Sequence, residues 1–212
     1  TPDKRNIIKN KQKSNKPLKF WYTNVNSINS FNLSKSNLFQ AEIISTNSDV
    51  VMVTETWFTV GRVLKIPGYT LYNCSRISTK RGGGVSIYIK NNIRSIEIVN
   101  CKLENTQIEQ TWCKLITCSK SLILGCIYRA PNDSIESIKA IMESIAEASR
   151  LVTKGFADSL LIMGDFNFPG AKWNKHGRCL NYTADTCLNE FIDTINDCFL
   201  YQMVSKPTFY KD

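Results

Sequence analysis

Histidine is almost absent from this chain of 212 residues: His176 stands alone. The eight cysteines (Cys74, Cys101, Cys113, Cys118, Cys126, Cys179, Cys187 and Cys198) include no C-x-x-C pair. With one imidazole to complete a site, zinc is disfavoured, and thiols scattered through apolar runs read as buried and free rather than as disulfides. No run approaches the roughly 18 to 20 uninterrupted apolar residues of a membrane span, and the N-terminal stretch lacks the apolar centre of a secretion signal. The expectation is a soluble, intracellular protein with no membrane partner. Neither G-x-x-x-x-G-K-[ST] nor G-x-G-x-x-G occurs, so Gly82 to Gly84 reads as a hairpin turn entering a strand rather than a phosphate-cradling loop.

What is present supports a folded domain with a charged leader. Hydrophobic residues make up 42% of the chain, enough for a buried core in one large domain or two small ones. The net charge of +9 is unevenly spread: Lys4, Arg5, Lys9, Lys11, Lys13, Lys16 and Lys19 face a single early acid, Asp3. A basic leader over residues 1–17, ahead of a domain over 18–212, suits an anionic partner such as nucleic acid; it could equally be a solvated linker.

Past Pro17 the pattern changes. Leu18 to Val25 is strand-like, and Leu33 to Ser45 has helical spacing. Asp49 to Thr54 is a short valine-rich run suited to a strand buried on both faces. Strands are then predicted at Tyr69 to Asn73, Gly84 to Lys90, Ser95 to Val99, Ile108 to Thr117 and Leu122 to Tyr128. Ser134 caps a helix running to about Val152, with Glu136 and Glu143 on its polar side. A strand at Ser159 to Gly164, a helix at Asp185 to Cys198 and a closing strand at Leu200 to Val204 complete the order. Such a succession argues for an α/β sandwich, sheet packed on sheet with helices outside.

Two of these strands end in carboxylates, Glu55 and Asp165, separated by more than a hundred residues. Strand ends are where α/β folds place ligands, and a pair of hard oxygens suits Mg²⁺. TNVNSI adds Asn24 and Asn26 at the end of the first strand, and IYRAPN adds Tyr128 and Arg129 at another; amides and a phenol can orient a phosphate without repelling it. Each residue singly also has an ordinary structural reading, as a turn asparagine, a helix cap or a surface arginine. Trp112, on a strand, reads as core, while Trp57 has a better claim to lie near a nucleic acid.

Taken in order, TNVNSI, VTETWF, RGGGVSIYI, IEQTWCKL, LGCIYRAPN and LLIMGDFNFPG resemble the endonuclease domain of non-LTR (LINE-type) retrotransposons. That domain belongs to the exonuclease-endonuclease-phosphatase superfamily, which includes the apurinic DNA-repair endonucleases. RGGGV and YRAP point to the retroelement branch and away from a superfamily phosphatase acting on inositol phosphates or lipids. The resemblance implies a four-layer sandwich of two packed, mostly antiparallel sheets flanked by helices. It also implies a Mg²⁺ (or Mn²⁺) cofactor, DNA as partner, a reverse-transcriptase region in the same polyprotein, and action in the nucleus.

Carried over residue by residue, the resemblance makes Glu55 the principal metal ligand, with Asn24 assisting. Asp165 would align or deprotonate the attacking water, Asn167 would hold the scissile phosphate, and Tyr128 would hydrogen-bond a phosphate oxygen. The product would be a nick with a 3′ hydroxyl that primes reverse transcription. Arg76, Arg81 and Arg129 are candidate nucleic-acid contacts. The family pattern continues past KPTF, Lys206 to Phe209, with a strand bearing an Asp and a final Ser-Asp-His, so the last strands are expected to be missing. His176, in the polar loop Ala171 to Arg178, does not supply that histidine. Without that histidine and its strand, the chain as given is expected not to nick DNA although its parent polyprotein does; the alternative reading is a catalytically inactive truncated remnant that acts at most as a nucleic-acid-binding module.

Overall fold

The computed structural model describes residues 17–28, 33–76, 82–100, 102–104, 107–180 and 183–204. Residues 1–16 of the leader and residues 205–212 lie outside the described residues. Among the described residues, eight strands and three helices follow in the order β1 (Phe20–Asn24), α1 (Leu33–Thr46), β2 (Val50–Thr54), β3 (Tyr69–Cys74), β4 (Val85–Lys90), β5 (Arg94–Glu97), β6 (Glu109–Ile116), β7 (Ser121–Tyr128), α2 (Ile135–Thr153), β8 (Ser159–Asp165) and α3 (Thr186–Asp197). They build two four-stranded sheets, ordered β1-β2-β4-β3 and β5-β6-β7-β8. In each sheet one edge pair is parallel, β1 with β2 and β7 with β8, and the remaining pairs are antiparallel.

Period-two alternation sorts the apolar residues into layers. Val50 and Met52 of β2 point inward with Val85, Ile87 and Ile89, against Cys113, Leu115, Leu124 and Cys126 of the second sheet. Their neighbours Val51 and Val53 point outward, to Phe39 and Ile43 of α1. The run from Val50 to Val53 is continuous because both faces of β2 are covered. On the far side, Trp112, Ile123 and Ile127 pack against Ile141 and Ile145 of α2 and Leu188 and Phe191 of α3. The outcome is the expected four-layer α/β sandwich: helix, sheet, sheet, helices.

Helix starts follow from their caps. Ser134 accepts the Ser137 N–H at 3.2 Å and Asp185 accepts that of Leu188 at 3.1 Å, each satisfying an otherwise orphaned first-turn donor. Gly125 lies opposite Trp112 in the β6–β7 register, and a Cβ there would overlap the indole. No described helix is long and apolar enough to cross a membrane.

Two expectations are corrected. Residues Leu200 to Val204 form no strand. The Leu200 N–H caps α3 by donating to Ile195 O, and Gln202 N–H donates to Gly177 O, so the segment is bonded to a loop rather than laid along a sheet edge. Nor are the cysteines uniformly buried. Cys113 and Cys126 are, whereas Cys118 sits exposed in the β6–β7 turn and Cys74, Cys179, Cys187 and Cys198 are half-buried; Cys101 lies outside the described residues.

Candidate active site

Both parallel pairs run toward the same rim of the sandwich, which places four strand ends together. Asn24 closes β1 and pairs in register with Thr54, directly before Glu55. Tyr128 closes β7 and pairs with Asp165 at the end of β8. Two hydrogen bonds then join the sheets: Tyr128 OH donates to Glu55 Oε1 at 2.8 Å, and Asn24 Nδ2 donates to Asp165 Oδ2 at 3.1 Å. Four residues from four strands, singled out by sequence, thus meet at one rim. Asn167 joins them, its backbone N–H donating to Asp165 Oδ1 at 3.2 Å.

The backbone here is unusual. Of the described non-glycine residues with positive φ, Asn26 (41°), Ser27 (79°), Glu55 (56°), Trp57 (57°) and Asn167 (50°) all lie in the loops leaving these strand ends. Left-handed conformations at non-glycine residues are disfavoured and persist only where the surroundings hold them. The holding bonds are evident: Ser27 N–H and Ile28 N–H donate to Glu55 O and Thr56 O, and Trp57 N–H donates to Gly83 O at 2.8 Å. Gly83 itself has φ 71°, and a Cβ there would overlap the Glu109 carboxylate and the Arg76 guanidinium.

Glu55 has a fixed orientation because both its oxygens accept hydrogen bonds, Oε1 from Tyr128 and Oε2 from Trp57 Nε1 at 3.0 Å. Burial pushes the Tyr128 phenol above its ordinary range, and the hydrogen bond to Glu55 adds to the rise, so Tyr128 stays protonated and donates. Deeper in the rim, Tyr22 OH shares a hydrogen bond with Thr54 Oγ1 at 3.0 Å, and burial raises its pKa despite that bond.

A divalent cation fits the donor set. Glu55 supplies a carboxylate and Asn24 an amide carbonyl from adjacent parallel strands, all hard oxygen, and each carboxylate oxygen retains a lone pair beside the hydrogen bond that it accepts. Among the described residues no cluster of three or more His, Cys, Asp or Glu could hold a metal ion. The set suits an ion that keeps several of its waters, as Mg²⁺ does.

The proposed nucleic-acid contacts fare differently. Arg76 pairs with Glu109 and lies 5.9 Å from the centre of the Tyr128 ring, while Gly84 N–H donates to the same Glu109 carboxylate. Arg129, expected at the nucleic-acid face, is instead buried at 6% exposure, with its guanidinium under the loop after β8. Arg81 lies outside the described residues. His176 is exposed in its loop, its N–H bonded to Asn174 Oδ1, and joins no part of the rim. Glu109 and Tyr22 were missed in the sequence. Glu109 faces Tyr128 across the β6–β7 register, a relation visible only once the strands are paired.

A family model described as the Endonuclease/Exonuclease/phosphatase family matches residues 22–209. The chain is 24% identical over 164 residues to the RNA-directed DNA polymerase from mobile element jockey of Drosophila funebris, covering 77% of this chain and 16% of that protein. It therefore spans about one sixth of this curated relative's length. The endonuclease domain of TRAS1, a telomere-specific non-LTR retrotransposon, superposes with a TM-score of 0.54 at 15% identity, covering 86% of this chain and 71% of that one. The AP endonuclease LMAP from Leishmania major gives 0.56 at 16% identity, with coverages of 86% and 66%. At these identities the two superpositions establish a shared fold.

Proposed function

The chain belongs to the Endonuclease/Exonuclease/phosphatase family, and on that premise we propose that it is the endonuclease domain of a non-LTR (LINE-type) retrotransposon polyprotein. In this reading it nicks chromosomal DNA in the nucleus, leaving a 3′ hydroxyl from which a reverse-transcriptase region of the same polyprotein copies. The observation that carries the proposal is the rim where Asn24, Glu55, Tyr128 and Asp165 are joined across both sheets. The likeness to the jockey polymerase supports the retroelement branch.

Each residue has a chemical task there. Glu55 and Asn24 would hold Mg²⁺ or Mn²⁺. When bound, the ion would supply positive charge against the negative charge building on the phosphate and leaving oxygens. Asp165, fixed by Asn24 Nδ2 and Asn167 N–H, orients the attacking water and accepts its proton. Asn167 Nδ2 donates one hydrogen to Arg129 O at 2.6 Å and has a second for a phosphate oxygen. Tyr128, kept neutral by its surroundings, donates to a phosphate oxygen once the substrate arrives.

Supercoiled-plasmid nicking with Mg²⁺ tests this, using the reading frame that contains the chain and its Asp165→Ala variant. The expected result is open-circular product that a DNA polymerase extends without prior phosphatase treatment. In the variant the rate should fall by about 10² to 10³-fold or more. Undiminished nicking by Asp165→Ala, or nicks that need dephosphorylation before extension, would overturn the proposal.

A further inference from the structure

Arg129 follows Tyr128 directly, yet it contributes nothing to the open face of the rim. Its backbone N–H donates to Asp165 O at 2.9 Å, carrying the parallel β7–β8 ladder one step past the strands. Its carbonyl accepts the Asn167 side-chain amide at 2.6 Å. The guanidinium donates through Nε to Phe166 O at 2.5 Å and through Nη2 to Asn167 O, and its centre lies 4.1 Å from the Phe168 ring. Every residue from Asp165 to Phe168 is therefore held by a different part of Arg129.

This grip sits on a rigid base. Phe166 and Phe168 both pack against Phe191 of α3, with ring centres 5.2 and 4.9 Å away. Asn167 holds a positive φ of 50° between them. Burying a guanidinium is unfavourable, and an apolar side chain of similar volume would often stabilise such a pocket as well or better. What the planar fork supplies and a hydrocarbon cannot is two donors at fixed separation, aimed at the carbonyls of Phe166 and Asn167 while its face rests on Phe168.

We propose that Arg129 is a positioning residue: it fixes the backbone from Asp165 to Phe168 so that the Asp165 carboxylate and Asn167 amide are presented together at the rim, and it does not bind phosphate. The consequence for the reaction rests on the endonuclease reading above; the structural lock does not. Lysine at this position keeps the charge but cannot span two carbonyls or stack flat on a ring.

The test compares the protein encoded by the reading frame that contains the chain with its Arg129→Lys variant, by hydrogen–deuterium exchange and by plasmid nicking. Exchange should rise in the peptide containing Asp165 to Phe168 and stay unchanged in α1 and β2. In nicking, kcat should fall about 10 to 100-fold with KM nearly constant, because small displacements of reacting groups act on the chemical step. Should the lysine variant fail to fold, Phe168→Leu, which removes the ring beneath the guanidinium, carries the same exchange comparison. Unchanged exchange at Asp165 to Phe168, or a uniform rise through the molecule, would overturn the lock. So would a raised KM with a salt dependence weakened by about one phosphate contact, the mark of a DNA-binding arginine. Absence of nicking by the unmodified protein of that reading frame would refute the endonuclease reading, while the exchange result would still decide the role of Arg129.

Discussion

At the scale of single residues, Glu55 is the point on which the site depends, since its carboxylate joins Trp57, Tyr128 and the loop after β2. Isothermal titration with Mn²⁺ should therefore show a site in the unmodified chain that weakens at least tenfold in Glu55→Ala. Equal affinity in the two would remove Glu55 from the metal site. Glu55, Asp165, Asn24 and Tyr128 could be found in the sequence because each follows an apolar run long enough to be a buried strand, and such strands end at a rim. Arg129 misled for a related reason. An arginine after a strand ordinarily reaches solvent, and nothing in IYRAPN shows that the loop of a strand more than thirty residues later folds over it. Arg76 and Glu109 were similarly opaque, because their pair is packed against the left-handed Gly82–Gly84 segment, whose Gly84 N–H donates to the same carboxylate.

Among the elements, α2 carries a feature that its helical periodicity hid. Glu147 lies on the buried face at 6% exposure, where Arg150 and the Asn100 side-chain amide both donate to it. The Arg150 hydrogen bond, followed by that of Asn100, holds the Glu147 carboxyl at about 2 in spite of burial. An unfolded glutamate titrates near roughly 4.3, so the unfolded chain takes up this proton first as pH falls. The stabilisation from Glu147 is thus complete above about pH 4.5 and is lost progressively toward pH 2. Urea midpoints measured from pH 5 to pH 3 should fall more steeply in the unmodified chain than in Glu147→Gln; parallel curves would show that the interaction survives unfolding or is absent in solution. The exposed Asp158 and Glu136, also depressed, contribute equally to both proteins and cancel. Most element boundaries were readable within a residue or two, since caps and apolar periodicity are local. The segment from Leu200 to Val204 was not, because a strand requires a partner with vacant backbone groups, and its Gln202 N–H instead meets a loop carbonyl.

For the whole molecule, charge and fold are divided along the chain. The net charge of +9 is concentrated ahead of Phe20, whereas the rim from β1, β2, β7 and β8 presents the carboxylates Glu55 and Asp165. An anionic duplex brought to that rim meets local repulsion, which a bound divalent ion and basic segments elsewhere would have to offset. Deleting residues 1–17 removes Lys4, Arg5, Lys9, Lys11, Lys13 and Lys16, along with Asp3. If these residues lie on DNA, each neutralised phosphate releases about 0.9 counterion, so log affinity should fall less steeply with log salt in the shortened chain. At low salt its binding should be weaker, and at high salt the two proteins should converge. Fluorescence anisotropy with a labelled duplex, at salt from roughly 50 to 200 mM, measures both quantities. Equal slopes for the two chains would show that the leader stays off the phosphates, leaving its charge to solubility and the folded domain to bind DNA unaided.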